Sequence, residues 1–209
     1  MREGRVAAAL AMQILLALFG QMDIYLALAH HPVLNRMGGV VTTSVTNLDI
    51  HDLARISRTY DVRRYFVVTP IAEQQELVRK VVGHWVTGEG RTSNPDRSEA
   101  FSRVEVVPSL EAACEAIAAH HGQAPLVVGT SAKQDRETIA YSTLRGRMAH
   151  DTGPALLVFG TGWGLASDAL SQCDVMLPPI DALPARAGYN HLPVRAAVAI
   201  ILDRLLGDV

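Results

Sequence analysis

Short apolar runs alternate along the chain with longer stretches in which apolar positions recur at helical spacing. The short runs predict strands at 23–29 (DIYLALA), 63–69 (RRYFVVT), 103–107 (RVEVV), 125–129 (PLVVG), 154–159 (PALLVF) and 173–177 (CDVML). Several are unbroken Val/Leu/Phe runs, the pattern of strands covered on both faces in a parallel sheet. Between them lie helix candidates at 50–60, 70–86, 109–121 and 193–206. Pro70 suits a first turn, Ser109 is a good N-cap with Glu111 behind it, and the last helix runs from Pro193 to a stop at Gly207. Strand–helix alternation of this kind predicts an α/β fold with a mostly parallel sheet flanked by helices. The polar stretch 87–98 (TGEGRTSNPDRS) reads as an exposed loop, and no linker divides the chain.

Composition narrows the picture. The chain has 209 residues, 49% of them hydrophobic, with 19 Lys plus Arg against 21 Asp plus Glu. That is one domain with enough apolar material for a core, which excludes a disordered chain. A net charge of −2 excludes a broad basic arm as the main device but leaves room for a local basic patch. Two cysteines, Cys114 and Cys173, make neither a disulfide framework nor a four-cysteine zinc site, so a reduced, cytoplasmic protein is the expectation. Residues 6–19 form an uncharged, largely apolar run behind Arg2 and Arg5. This run is short for a membrane span of ~20 residues and lacks a clear cleavage site after it. Residues 1–21 therefore read as an accessory extension or an over-extended start, with a domain over 22–209. A signal peptide and an anchor are the other readings.

General motifs are few. No GxxxxGK[ST] phosphate loop and no GxSxG nucleophile elbow occurs. Phe159-Gly160-Thr161-Gly162-Trp163-Gly164 follows the fifth candidate strand, not the first, so it is not the usual dinucleotide fingerprint. It does offer uncovered backbone that a flat adenine or ribose can approach. The pairs His30-His31 and His51-Asp52 invite a metal reading, but His51-Asp52 alone makes a poor chelate, because neighbours on a helix diverge by about 100°, and no His partner follows at i+4. No metal site is expected.

Three segments in order carry a more specific signal. A strand ends in the glycine loop (159–165), a "cD…l.P" strand and loop follows (173–180), and an Asn-containing segment opens the last helix (189–200). Upstream, TNLDIHDLARISRTYDVRRYFVV (46–68) combines a helix carrying Arg55 with a following strand. This order resembles the SPOUT superfamily of RNA methyltransferases. The likeness covers 22–207 and lies nearest a subfamily known only as SAM-dependent RNA methyltransferase, sometimes attached to a tRNA guanine methyltransferase domain. The resemblance implies a carboxyl-terminal deep trefoil knot, a bent S-adenosylmethionine (SAM) in a cleft made of three loops, an RNA substrate (tRNA or rRNA) and a homodimer. By position it implies cofactor contacts from Thr130, Phe159, Gly160, Thr161, Gly162, Leu177, Ile180, Tyr189, Asn190, Leu192 and Val194. Arg55 takes the place of the family's arginine, and the resemblance implies that it reaches the other subunit's cofactor.

For chemistry, Arg55 and Asn190 are the first candidates, with His51 as a possible proton acceptor near neutral pH and His191 as a second. Arg55 is always charged, which suits holding a phosphate or lowering a hydroxyl's pKa better than acting as a base. Its bland alternative is an ion pair with Asp49 or Asp52. Arg58, Arg63 and Arg64, with Arg91 and Arg97 in the polar stretch, form a candidate RNA-binding patch, and Trp85 a candidate stacking surface. Two positions depart from the family's pattern. Trp163 stands where relatives often have Glu, and Pro193 stands where a serine is common. They keep open a SAM- or RNA-binding module without catalysis. A nucleotide-binding protein of ordinary doubly wound fold is the third reading.

Overall fold

The computed structural model describes residues 22–133, 136–181 and 190–208; the apolar extension 1–21 and Tyr189 lie outside them. Six strands form one sheet in the order β5-β4-β1-β7-β6-β8, and every pairing is parallel. They are β1 (Asp23–Ala29), β4 (Arg64–Val68), β5 (Val104–Val107), β6 (Leu126–Gly129), β7 (Pro154–Gly160) and β8 (Val175–Met176). A small antiparallel hairpin, β2 (Val33–Leu34) and β3 (Val40–Val41), stands apart from the sheet.

β1 lies between β4 and β7, and its side chains alternate between two cores. Ile24, Leu26 and Leu28 face a core shared with Leu53, Phe101, Leu144 and Leu202. These come from α1 (Asn47–Thr59), α4 (Pro95–Phe101), α6 (Tyr141–His150) and α8 (Val194–Leu206). Tyr25, Ala27 and Ala29 face Ala113 and Ile117 of α5 (Leu110–His121) and Ala169 of α7 (Ser167–Leu170). With both faces covered, the expected three-layer parallel architecture is present.

Strand boundaries fall within one residue of expectation except at β8, which is shorter. There Cys173 and Asp174 lead into the strand. The Asp174 carboxylate accepts the Val127 N–H at 2.8 Å, and the Asp174 N–H donates to the Val127 carbonyl at 2.9 Å. α1 begins three residues before the expected start, because Thr46 caps it. The Thr46 hydroxyl accepts from the Asp49 N–H at 3.2 Å and donates to Asp49 Oδ2 at 2.6 Å. Ser109 caps α5 as expected, accepting the Ala112 N–H at 3.2 Å.

Two expectations are corrected. The stretch 87–98 is not a loop. Beyond the end of α2 (Ala72–Val86) it forms α3 (Gly90–Ser93) and most of α4, with Asn94 accepting the Arg97 N–H at 3.0 Å and Pro95 in the first turn. Its polar appearance arises because α3 and α4 fully bury only Gly90, Ala100 and Phe101. Pro193 is the N-cap of α8, one residue ahead of its expected place inside the first turn.

A cavity at the carboxyl ends of the strands

β1 continues to β4 and β5 on one side, whereas β6, β7 and β8 lie on the other. Where strand order reverses in an open parallel sheet, the carboxyl ends of the strands leave a crevice. A cavity of about 1030 Å³ lies there. Its walls come from Thr43, Ser44 and Thr46 after the hairpin, Thr130–Lys133 after β6, the glycine loop after β7, Pro178 and Ile180 after β8, and the start of α8.

The glycine loop is strapped to the hairpin. The Trp163 N–H donates to the Leu34 carbonyl at 2.9 Å, and the Leu34 N–H donates to the Gly164 carbonyl at 2.8 Å. Gly162 sits at φ +60°, where a Cβ would also meet the Leu34 carbonyl oxygen at 2.8 Å. The hairpin therefore already requires glycine here, before any ligand is considered. The next loop is held as firmly. The Leu177 N–H donates to the Gly129 carbonyl at 2.9 Å, and the Tyr141 hydroxyl donates to the Pro178 carbonyl at 3.0 Å. The Cys173-Asp174 part of the "cD" signal thus serves structure: it pins β8 so that Pro178 and Ile180 face the cavity.

A buried hydroxyl chain underlies the floor. His30 is fully buried, with Nδ1 3.1 Å from Thr43 Oγ1, which lies 2.5 Å from Thr161 Oγ1. The Thr161 hydroxyl is 3.1 Å from the Ala29 carbonyl. One proton arrangement satisfies all three contacts: His30 Nδ1–H donates to Thr43, Thr43 to Thr161, and Thr161 to Ala29. Burial lowers the His30 pKa to about 4, so the donating imidazole is neutral near pH 7.

Phe159, Gly160, Thr161, Gly162, Ile180, Asn190, Leu192, Val194 and Thr130, the residues that the resemblance names for cofactor contact, line the cavity. Leu177 does not. It is buried in the core below, and Pro178 and Ile180 provide the wall in its place. The Asn190 amide donates to Asp181 Oδ1 at 3.0 Å across the rim. Trp163 is half exposed and meets the His191 ring edge-on at 5.9 Å.

The arginine candidates scatter. Arg55 is exposed on α1 and is absent from the cavity lining. Asp49 and Asp52, its expected partners, are instead held by Arg195, at 2.9 Å and 3.1 Å. Arg58, Arg63 and Arg64 pair with Glu99, Asp23 and Glu105. Arg63 and Arg64 stand at the amino end of the sheet, opposite the cavity. Arg91 is exposed on α3, and Arg97 lies 4.8 Å over the Trp85 ring. His51 faces the same aromatic cluster, 4.7 Å from Phe101 and 5.7 Å from Trp85. Burial, then Arg97, lowers its pKa, which makes it a weaker proton acceptor than a free imidazole. Asp49, Arg195, Thr43, Ser44 and Lys133 line the cavity without having been anticipated. The Thr46-x-x-Asp49 capping spacing was the one available signal for Asp49.

A family model described as SAM-dependent RNA methyltransferase matches residues 23–207. The chain belongs to that family. It is 47% identical over 186 residues to a protein of Nitratidesulfovibrio vulgaris named tRNA (guanine-N(1)-)-methyltransferase, covering 89% of this chain but 42% of that one. The chain thus spans less than half the length of that curated relative. An uncharacterized protein of Aquifex aeolicus is 38% identical over 183 residues, covering 88% of each. Among solved structures, the SpoU methyltransferase AviRb from Streptomyces viridochromogenes, in complex with the cofactor AdoMet, superposes with a TM-score of 0.53 at 16% identity. That match covers 90% of this chain and 58% of AviRb. The methyltransferase family and the α/β fold with a mostly parallel sheet flanked by helices agree with the sequence reading. Among the described residues no helix is long and apolar enough to cross a membrane, and no group of three His, Cys, Asp or Glu side chains is placed to hold a metal.

Proposed function

We propose that this chain transfers a methyl group from SAM to a nucleotide of tRNA or rRNA, working as a cytoplasmic homodimer with a carboxyl-terminal trefoil knot. The observation that carries the reading is the cavity itself. Its size suits a nucleoside cofactor, and apolar side chains are interspersed in its lining with a few polar groups, the usual character of such sites. Phe159, Ile180, Leu192 and Val194 offer adenine an apolar slot, while Thr130 and Asn190 supply hydrogen-bonding edges. When bound, SAM supplies an electrophilic methyl group on a positively charged sulfur. The protein's task is then to align the acceptor and to ease loss of its proton. Asn190, on the rim, is placed to orient an acceptor.

Arg55 lies outside its own subunit's cavity, and among the described residues no carboxylate pairs with it. We assign it to the partner's site, where a guanidinium binds phosphate or lowers a hydroxyl's pKa. Arg91 and Arg97 extend the RNA contact, with Arg58 contributing if RNA displaces Glu99. A non-catalytic SAM- or RNA-binding module is the second reading, motivated by Trp163 and Pro193 where the resemblance leads one to expect an acid and a hydroxyl.

Offering RNA from a deletion strain with methyl-labelled SAM separates the two. Label should enter RNA, and Arg55→Ala should abolish it. SAM binding without label transfer in any RNA class would favour the binding module. Unchanged transfer by Arg55→Ala would remove the catalytic assignment.

A further inference from the structure

One aromatic side chain of the cavity lining is left open to solvent. Phe159 and Ile201 in the lining are buried, and Ile180 and Val194 are half-buried. Trp163 and Leu192 stay 48% and 44% exposed. Leu192 belongs to the slot assigned to adenine; Trp163 does not. The chain has one other tryptophan, Trp85, and its ring is covered. Arg97 lies 4.8 Å over it, and His84 and Phe101 pack against it at 4.9 and 5.8 Å. Among the described aromatic side chains Trp163 meets only the His191 ring, edge-on at 5.9 Å. Its backbone is fixed all the same. Besides the two bonds to Leu34, the Gly164 N–H closes on the Thr161 carbonyl at 3.1 Å. An indole on a fixed loop offers a flat ring a large contact area and loses little freedom in doing so. At about 1030 Å³ the cavity stands at the top of the size range for one small ligand, which leaves room beside a cofactor. A cation is also available. Asp49 and Arg195 of the lining are paired with each other, whereas among the described residues exposed Lys133 has no carboxylate partner. An open aromatic ring and an open cation in one cavity are the means by which unpaired nucleotides are held, the ring for the base and the cation for the phosphate.

We propose that Trp163 is the stacking platform for the acceptor nucleobase of the RNA, with Lys133 holding a flanking phosphate. This rests on the RNA methyltransferase reading of the cavity. Methyl transfer requires the acceptor to lie against the cofactor, so the acceptor nucleotide enters the cavity that holds SAM. A base drawn out of its own stack loses its neighbours, and an aromatic side chain replaces them. Stacking tolerates every base, so Trp163 sets the grip on the nucleotide and not the choice of base.

Total RNA from a deletion strain and methyl-labelled SAM test this with Trp163→Ala, Trp163→Phe and Lys133→Ala beside wild type. The indole is half exposed and its loop is held through the backbone, so the Trp163 variants should fold. Trp163→Ala should raise the RNA concentration for half-maximal labelling at least about fivefold, the low end of what one base–aromatic stack supplies. Trp163→Phe should recover most of that loss. Lys133→Ala should raise the same concentration and lessen its dependence on salt, the mark of a lost phosphate contact. With S-adenosylhomocysteine bound, so that no turnover occurs, the same RNA should quench the emission that wild type shows in excess of Trp163→Phe. SAM affinity by calorimetry should be unchanged in all three variants. Unchanged half-saturation in Trp163→Ala would overturn the proposal. Weaker SAM binding by that variant would also overturn it, by giving the ring to the cofactor, and a shift from dimer to monomer would do so by giving it to the subunit interface. Wild type that binds no SAM and labels no RNA would overturn the methyltransferase reading itself.

Discussion

His30 has no solvent exposure, and its Nε2 lacks a hydrogen-bond partner among the described residues. Burial opposes the charge that protonation would place there more strongly than the Asp49 carboxylate and the Ser44 backbone favour it, which holds its pKa near 4 against an ordinary 6.5. The unfolded chain therefore binds more protons than the folded one between those two values, and stability rises with pH through that window. Between pH 7 and pH 4 the loss from this group is expected to be roughly 3 kcal/mol. Urea midpoints measured across that range should fall steeply for wild type and more gently for His30→Gln. Identical slopes would remove His30 from the account, leaving His51, whose pKa is lowered in the same direction, among the remaining causes. The site was only partly legible at this scale. Ile180, Leu192 and Asn190, which line the cavity, belong to contiguous motifs and followed from the family resemblance. The Asp49–Arg195 pair joins positions 146 residues apart, and no local pattern announces a contact made by tertiary packing.

Helix caps show how an element can place a functional group. Thr46 and Ser109 make the same N-cap bond, on α1 and α5, and replacing either with alanine is expected to cost about 1 kcal/mol. Their consequences differ by position. Thr46 also holds the Asp49 carboxylate and lines the cavity, whereas Ser109 caps a helix on the sheet face away from α1 and α8. Thr46→Ala should therefore weaken SAM binding by calorimetry, while Ser109→Ala at matched stability loss should leave it unchanged. Equal affinities for the two variants would show that the cap does not organise the site. Elements were legible where they bury a continuous apolar face, as in β1, β7 and α5. They were missed where burial is sparse. α6 fully buries only Leu144 and Met148, and α3 and α4 together bury little more, so their sequences look like loops. The hairpin escaped because two-residue strands have no period to detect.

At the level of the whole molecule, the separation between Arg55 and its own cavity decides what assembly can do. One protomer presents a cofactor cavity with its neighbouring ion cluster, and presents Arg55 elsewhere on α1. If two copies exchange Arg55 across a two-fold axis, each active site draws on both chains. Two inactive variants then complement each other. Arg55→Ala retains a sound cavity but lacks the arginine it offers its partner. Ile180→Asp places a charge in the apolar wall and loses cofactor while keeping Arg55. In a mixed dimer one site collects both defects and the other collects neither. Random reassortment makes about half of the dimers mixed, so activity per subunit should recover to about a quarter of wild type. Label transfer to RNA, measured after co-expression or after unfolding and refolding the mixture, reads this directly. Arg55 acting within its own subunit predicts no recovery at any mixing ratio, because every cavity would then keep the defect of its own chain.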